Sequence, residues 1–106
     1  MINPEKIQEI VQKIVQNYDP DKIILFGSHA RGDVHKDSDL DFIIVKQTDT
    51  PNPYRSVDIR KFLFGIMVPM DIKVYTPDEF TTYSSSRYSF ITNALKTSIL
   101  LYERKG

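Results

Sequence analysis

Apolar residues follow two spacings along this chain of 106 residues, and these spacings predict most of its elements. An apolar residue at every third or fourth position predicts an amphipathic helix, whereas alternating or unbroken apolar runs predict strands. In chain order, the predicted elements are a helix that Asn3 and Pro4 open, a strand over 22–26, a short helix over 28–31, a strand over 39–45, a helix over 54–67, a strand over 70–75, a helical region from 77 towards 96 and a strand over 98–102. This order predicts an α+β fold, with helices packed against a mixed β-sheet.

Three of these elements have a well-defined apolar face. In the first helix, the predicted stripe is Ile7, Ile10, Val11, Ile14 and Val15. In the helix over 54–67, it is Ile59, Phe62, Leu63, Ile66 and Met67. In the strand over 70–75, Met70, Ile72 and Val74 alternate with Asp71, Lys73 and Tyr75, so we expect the two sets to lie on opposite faces.

Helix ends are also marked in the sequence. Thr76 and Glu79 have the spacing of a capping box, which predicts a helix start there. Ser84, Ser85 and Ser86 predict a break in the following helical region. The polar segment 46–52 contains Pro51 and is predicted to be a loop.

Composition narrows the class of protein. The chain is long enough for one compact domain, and we expect residues 1–106 to form it. Hydrophobic residues make up 41%, and 14 basic residues balance 14 acidic ones, so we expect a folded protein without direct nucleic-acid binding. Cysteine is absent, which excludes disulfides and thiolate metal sites. No apolar run reaches the roughly 18 residues of a membrane span, and the first residues do not resemble a signal peptide. We therefore expect a cytoplasmic protein that does not associate with a membrane.

The strongest candidate chemistry lies between two apolar runs. Gly27 and Ser28 follow the strand over 22–26, and Asp39 and Asp41 precede the apolar run 42–45. Alternate side chains of a strand share a face, so we expect the two carboxylates to lie close together. Two adjacent carboxylates resist joint ionisation unless a cation lies between them. A Gly-Ser turn at the start of a helix can hold phosphate. Together they indicate a metal-bound nucleoside triphosphate, although the two aspartates could also be ordinary solvent-facing residues.

A nucleotide-transfer site of this kind needs few protein groups. Magnesium prefers oxygen ligands, and a pair of such ions can activate the attacking oxygen and stabilise the leaving one. A third carboxylate is expected from a neighbouring strand. Asp71 fits that role, and Asp58 is a weaker candidate because it falls on a predicted helix.

Together, these segments resemble a known family. The segment LFGSHARG at 25–32, SDLDF at 38–42 and MDIKV at 70–74 are similar to the minimal nucleotidyltransferase (MNT) domain of the DNA polymerase beta superfamily. That signature is an apolar strand, Gly-Ser, a spacer, Asp-x-Asp and a third Asp on a later strand. The resemblance covers roughly residues 4–103 and implies the nucleotidyltransferase fold.

The resemblance also implies roles for the site residues. Two magnesium ions would be bound by Asp39, Asp41 and Asp71. In addition, Asp71 would assist deprotonation of the attacking hydroxyl. Asp39, Asp41 and Asp71 would thus be both the catalytic residues and the metal ligands, with ATP as the substrate.

The nucleotide-binding residues implied by the resemblance are Gly27, Ser28 and Arg31. Gly27 would let the backbone approach the triphosphate, and Ser28 would hydrogen-bond a phosphate oxygen. Arg31 would lie near the phosphates or the incoming substrate, with simple solvation as the alternative.

The resemblance further implies a partner. Small proteins of this family often act as the antitoxin of an all-helical HEPN partner, and some transfer AMP from ATP to a tyrosine of that toxin. We therefore expect a hetero-oligomer with a HEPN-domain protein. Two alternatives stay open: a module that binds nucleotide weakly and neutralises its partner by steric contact, and a small-molecule adenylyltransferase.

Several other residues have plainer interpretations. His29 and His35 could be metal ligands, but an oxygen-rich site favours a hard ion, so we expect surface histidines. Tyr83, Tyr88 and Phe90 are expected in the core or at an interface. Either Phe64 or Tyr54 could mark a partner surface, although scattered exposed apolar residues are normal.

Overall fold

The structure, a computed structural model, describes residues 4–33, 39–87 and 89–105. Within these ranges the helices are α1 (Pro4–Tyr18), α2 (Ser28–Arg31), α3 (Asn52–Phe62), α4 (Pro77–Ser84) and α5 (Phe90–Leu95). The strands are β1 (Lys22–Phe26), β2 (Leu40–Val45), β3 (Met70–Tyr75) and β4 (Ile99–Glu103). The predicted α+β fold with a mixed sheet is confirmed.

The sheet has the strand order β3-β2-β1-β4. Strand β1 pairs antiparallel with both β2 and β4, whereas β2 and β3 are parallel and are connected through α3. Strand β2 is covered on both faces, which explains why Phe42, Ile43, Ile44 and Val45 are all buried. The parallel β2–β3 pair brings the first residues of these two strands to the same edge of the sheet.

The two faces of the sheet have separate apolar clusters. On the first face, Leu25, Phe42 and Ile72 belong to the cluster that includes Ile14 of α1 and Ile59 of α3. The second face has a smaller cluster, formed by Ile24, Phe26 and Ile43 with Phe80, Ala94 and Leu95 packed against it. Because side chains alternate along a strand, the residues next to Phe42 and Ile72 lie on the second face. Asp41 and Asp71 therefore share the face that α4 and α5 cover.

Helix α3 differs from the sequence prediction at both ends. It was predicted over 54–67 but runs from Asn52 to Phe62. The predicted burial of Phe62 and Met67 is wrong: Phe62 is exposed, and Met67 is 91% exposed. The helix ends because the chain turns after Leu63, and Gly65 adopts a positive φ of 92° that a helix does not contain.

A partly buried ion pair connects α3 to the start of α4. Arg55 of α3 is 6% exposed, and its Nη1 donates to Glu79 Oε1 at 2.6 Å and to the Val74 carbonyl at 3.3 Å. Glu79 Oε1 also accepts from the Thr76 backbone N–H at 2.9 Å, which completes the predicted capping box. Arg55 therefore holds the end of β3 and the first turn of α4 in fixed positions.

The remaining predicted elements match the structure closely. The predicted break in the last helical region separates α4, which ends at Ser84, from α5, which begins at Phe90. The last strand begins at Ile99 and extends to Glu103. None of the helices in the described part of the chain is long and apolar enough to cross a membrane.

Candidate active site

Asp41 and Asp71 are direct neighbours in the sheet. The parallel register of β2 and β3 pairs them, and neighbouring strands lie about 4.8 Å apart. On the other side, the antiparallel register pairs Asp41 with Phe26, the last residue of β1. Asp41 therefore lies between Asp71 and the turn that begins at Gly27. Asp39 was predicted to be the first residue of this strand, but β2 begins one residue later, so Asp39 lies just before it and is exposed.

Gly27 packs directly against the Asp41 carboxylate. A Cβ atom built on Gly27 would lie 2.4 Å from Asp41 Oδ2, closer than real Cβ contacts allow. The backbone of Gly27, with φ 78° and ψ −157°, is also in a region that is almost restricted to glycine. The backbone conformation favours glycine here, and any side chain would also displace the Asp41 carboxylate. The predicted approach of this backbone to a triphosphate stays a prediction.

Ser28 and Arg31 are the first and last residues of α2, as predicted. The Gly27 carbonyl accepts from the N–H groups of Ala30 and Arg31, both at 3.1 Å, which fixes the turn beside Asp41. The Arg31 side chain is exposed and donates from Nε to Asp33 Oδ2 at 3.3 Å. Phosphate contacts of Ser28 and Arg31 stay predictions.

The electrostatics around Asp41 favour a bound cation. Burial raises the pKa of Asp41, and the negative charges of Asp71 and Asp39 raise it further, whereas His29 and Lys73 act in the opposite direction. Both of the other predicted carboxylates therefore act on Asp41. A raised pKa of a carboxyl group with acidic neighbours means that its ionised form lacks compensating positive charge.

Lys73 and Phe90 are neighbours of the site that the sequence analysis did not assign to it. Lys73 Nζ lies 3.2 Å from Asp71 Oδ2 and 5.5 Å from the centroid of the Phe90 ring. Phe90 also contacts Phe26 edge-to-face, with ring centroids 5.4 Å apart. Strand alternation placed Lys73 on the same face as Asp71 and could have indicated that the two side chains form an ion pair. Nothing local marks Phe90, because it lies on a different element.

The carboxylates suit magnesium in their chemistry, but they are not arranged as a finished metal site. Among the residues that the structure describes, no three His, Cys, Asp or Glu side chains form a cluster that could hold an ion. Asp71 is paired with Lys73 instead. The donors are all carboxylate oxygens, which magnesium prefers, and the charge on Asp41 is under-compensated. The three carboxylates could therefore bind a magnesium ion together if Asp71 gave up its ion pair with Lys73.

The weaker candidates are placed as follows. Asp58 lies on α3, which packs against the opposite face of the sheet through Ile59, and it pairs with Lys61 at 3.8 Å. It is therefore not part of the acidic edge, which consists of Asp39, Asp41 and Asp71 at the start of β2 and β3. His35, Ser38 and Tyr88 lie outside the described residues.

The aromatic residues singled out from the sequence are largely exposed. Tyr83 and Phe90 were expected in the core or at an interface, and they are 46% and 49% exposed. Phe64 and Tyr54 are exposed at 93% and 63%, as a partner surface would require, and their assignment to such a surface stays a prediction.

The chain also matches the model of a known protein family. The profile of the family described as "Polymerase beta, Nucleotidyltransferase" matches residues 5–106. The chain belongs to this nucleotidyltransferase family, which confirms the resemblance found from the sequence.

One curated relative is a protein of Methanocaldococcus jannaschii named as a putative protein adenylyltransferase. It is 47% identical over 51 residues, which are 45% of this chain and 51% of the relative. The matched part thus spans about half the length of that relative.

Solved structures share the fold. A putative nucleotidyltransferase from Sulfolobus solfataricus has a TM-score of 0.66 at 22% identity, over 94% of this chain and 79% of the other. A toxin–antitoxin crystal structure with AMP-PNP has a TM-score of 0.62 at 18% identity, over 98% of this chain and 76% of the other. A mutant of the toxin–antitoxin MntA–HpeT has a TM-score of 0.60 at 16% identity, with the same coverage.

Proposed function

We propose that this protein is a magnesium-dependent nucleotidyltransferase that transfers AMP from ATP to a hydroxyl group of a partner protein. The observation that carries the proposal is the pairing of Asp41 with Asp71, with Gly27 packed against the Asp41 carboxylate. Membership of the nucleotidyltransferase family supports the reaction class. The relative named as a putative protein adenylyltransferase supports ATP as the donor and a protein as the acceptor.

The proposed reaction is an in-line displacement at the α-phosphorus of ATP. A bond forms from the acceptor hydroxyl oxygen to the α-phosphorus, the bond from that phosphorus to the oxygen bridging to the β-phosphate breaks, and pyrophosphate leaves. The hydroxyl proton passes to a carboxylate, for which Asp71 is our candidate. Such a reaction depends mainly on positioning and on charge neutralisation.

Each site residue has a role in this proposal. Asp39, Asp41 and Asp71 would hold magnesium, which neutralises the triphosphate charge when bound. The turn at Gly27 and Ser28 would hold the phosphates that leave, because it lies next to Asp41 on the β1 side. Arg31 would have to release Asp33 to reach the phosphates.

The proposed partner is a HEPN-domain toxin, and the proposed acceptor is a tyrosine of that toxin. The similarity in fold to toxin–antitoxin structures, one of them with AMP-PNP, supports this context. In such a pair this protein would be the antitoxin, and the two chains would form a hetero-oligomer.

A labelling experiment tests the proposal. The protein is incubated with magnesium, the product of the neighbouring gene and ATP labelled at either the α- or the γ-phosphate. We expect the α-label alone to appear on the partner, since pyrophosphate carries the γ-label away. The Asp39→Asn/Asp41→Asn variant should lose the transfer, and Asp49→Asn, at an exposed position of the loop after β2, should keep it. Transfer that persists in the double variant would refute the site.

One observation favours a second candidate function. Asp71 is engaged by Lys73 at 3.2 Å, and the described carboxylates do not form a finished metal cluster. This arrangement suits a module that neutralises its partner by steric binding without catalysis. A tight complex with the partner in the absence of any label would support that function.

A further inference from the structure

A cavity of about 400 Å³ lies at the end of β3 opposite to Asp71, where it is enclosed by the start of α3 and by α4 and α5. It is lined by Asn52, Tyr75, Tyr83, Ser89, Phe90 and Ile91. Its volume is within the range of small-molecule sites, which is about 300–1,000 Å³. Three of the six residues are aromatic, and the rings of Tyr75 and Tyr83 meet edge-to-face with centroids 5.8 Å apart.

The cavity is connected to Asp71 through the contacts of Phe90 and Lys73. Phe90 lines the cavity and also lies beneath the ammonium group of Lys73, which is paired with Asp71. Asp71, Lys73 and Tyr75 are alternate residues of β3, so they form a row on one face of the sheet. Four residues of a strand span about 13 Å, so Tyr75 lies roughly that far from Asp71.

We propose that this cavity holds the nucleobase of the nucleoside triphosphate, an inference that rests on the proposed function. The leaving phosphates would lie on the β1 side, at Gly27, and the reacting α-phosphate beside Asp41 and Asp71. The nucleoside then extends along β3, past Lys73, to the aromatic cavity. The row of residues thus follows the order of α-phosphate, ribose and base.

The chemistry of the cavity wall favours a base. Aromatic rings stack on nucleobases, each of which has a π-face. The Asn52 amide carries both donors and acceptors, which match the polar edge of a base. An acceptor tyrosine from the partner would also stack on aromatic rings, but its hydroxyl would have to reach the α-phosphate beside Asp71. A ring stacked in the cavity would be too far away for that, because Tyr75 lies four residues along β3 from Asp71.

Calorimetric titrations separate base binding from phosphate binding. The probes are magnesium with α,β-methylene-ATP, which resists transfer, and magnesium with inorganic tripolyphosphate. The test variant is Tyr83→Ala, whose side chain is half-exposed, and a second variant is Asn52→Ala. The matched control is Tyr54→Ala, because Tyr54 is exposed and does not line the cavity.

We expect Tyr83→Ala to weaken binding of the ATP analogue at least fivefold, since a base–aromatic stack contributes about 1–3 kcal/mol. Asn52→Ala should weaken it in the same direction. Binding of tripolyphosphate should not change in either variant, and Tyr54→Ala should bind both probes as the unmodified protein does.

Two outcomes would overturn the proposal. The first is unchanged binding of the ATP analogue in Tyr83→Ala; if transfer to the partner is reduced at the same time, the cavity belongs to the acceptor side chain. The second is equal weakening of the binding of both probes. Failure of the unmodified protein to bind either probe would instead refute the proposed function itself.

Discussion

Replacement of Gly27 by alanine tests how the site is built. The new Cβ would lie 2.4 Å from Asp41 Oδ2, about 0.6 Å inside the 3.0 Å limit that real Cβ contacts respect. The backbone of Asp41 is fixed in a paired strand, so its half-buried carboxylate must move away from the turn. Alanine would also have to adopt the positive φ of 78° that glycine adopts here.

Two magnitudes follow from this geometry. Backbone strain of this kind costs about 1–3 kcal/mol, and each 1 kcal/mol lowers the melting temperature of a domain this size by roughly 4–8 °C. A misplacement on the order of 1 Å can reduce a reaction rate about 100-fold. We therefore expect Gly27→Ala to unfold roughly 8–16 °C lower for a loss of about 2 kcal/mol and to transfer AMP roughly 10- to 100-fold more slowly.

Gly65→Ala is the matched control for this prediction. Gly65 also has a positive φ, of 92°, but a Cβ atom added there would meet no other atom of the described residues within 4 Å, its chain neighbours aside. Backbone strain should lower the free energy of unfolding of Gly65→Ala by about 1–2 kcal/mol, and Asp41 should not move. Thermal unfolding and transfer assays below both melting temperatures compare the two variants. Unchanged transfer by Gly27→Ala, or an equal loss in Gly65→Ala, would refute the argument.

Three further predictions concern ion pairs, one of which includes Asp71. Arg55→Met should cost about 2–3 kcal/mol in urea unfolding, because it leaves the Glu79 carboxylate without its buried partner, whereas Lys61→Met at an exposed pair should cost less than about 1 kcal/mol. The Arg55 hydrogen bond lowers the pKa of Glu79 below 4.5, so this stabilisation should be complete above about pH 4.5 and should decline as pH falls through the lowered pKa. Glu79→Gln should remove that part of the pH dependence. A variant whose stability falls with acid as that of the unmodified protein does would contradict this prediction. Lys73→Met should bind magnesium more tightly in calorimetry without nucleotide, since it frees Asp71; weaker binding would show that Lys73 does not compete with the ion.

Local patterns predicted the faces of individual elements well. The alternation in β3 is a property of a single strand, so the sequence was sufficient to predict that Asp71 and Lys73 share the face opposite Ile72. The neighbouring position of Asp41 and Asp71 depends on strand order and register, which apolar patterns do not specify. The resemblance to a known family implied their association, and the structure gives their register.

The features that the sequence did not predict depend on long-range contacts. Arg55 lies 24 residues from Glu79 and 19 from Val74, so no local pattern could indicate its burial. Phe90 joins the site by packing on Phe26, which lies far from it in sequence. The end of α3 was missed for a different reason, because the apolar period continues past the turn at Gly65.

The most direct test of the account is the magnesium dependence of ATP binding, measured by calorimetry on the protein alone. If the acidic edge holds the metal–triphosphate complex, ATP should bind in magnesium but not after chelation, and Asp41→Asn should abolish binding that Asp49→Asn retains. Equal ATP affinity in Asp41→Asn and the unmodified protein would contradict the assignment of the site.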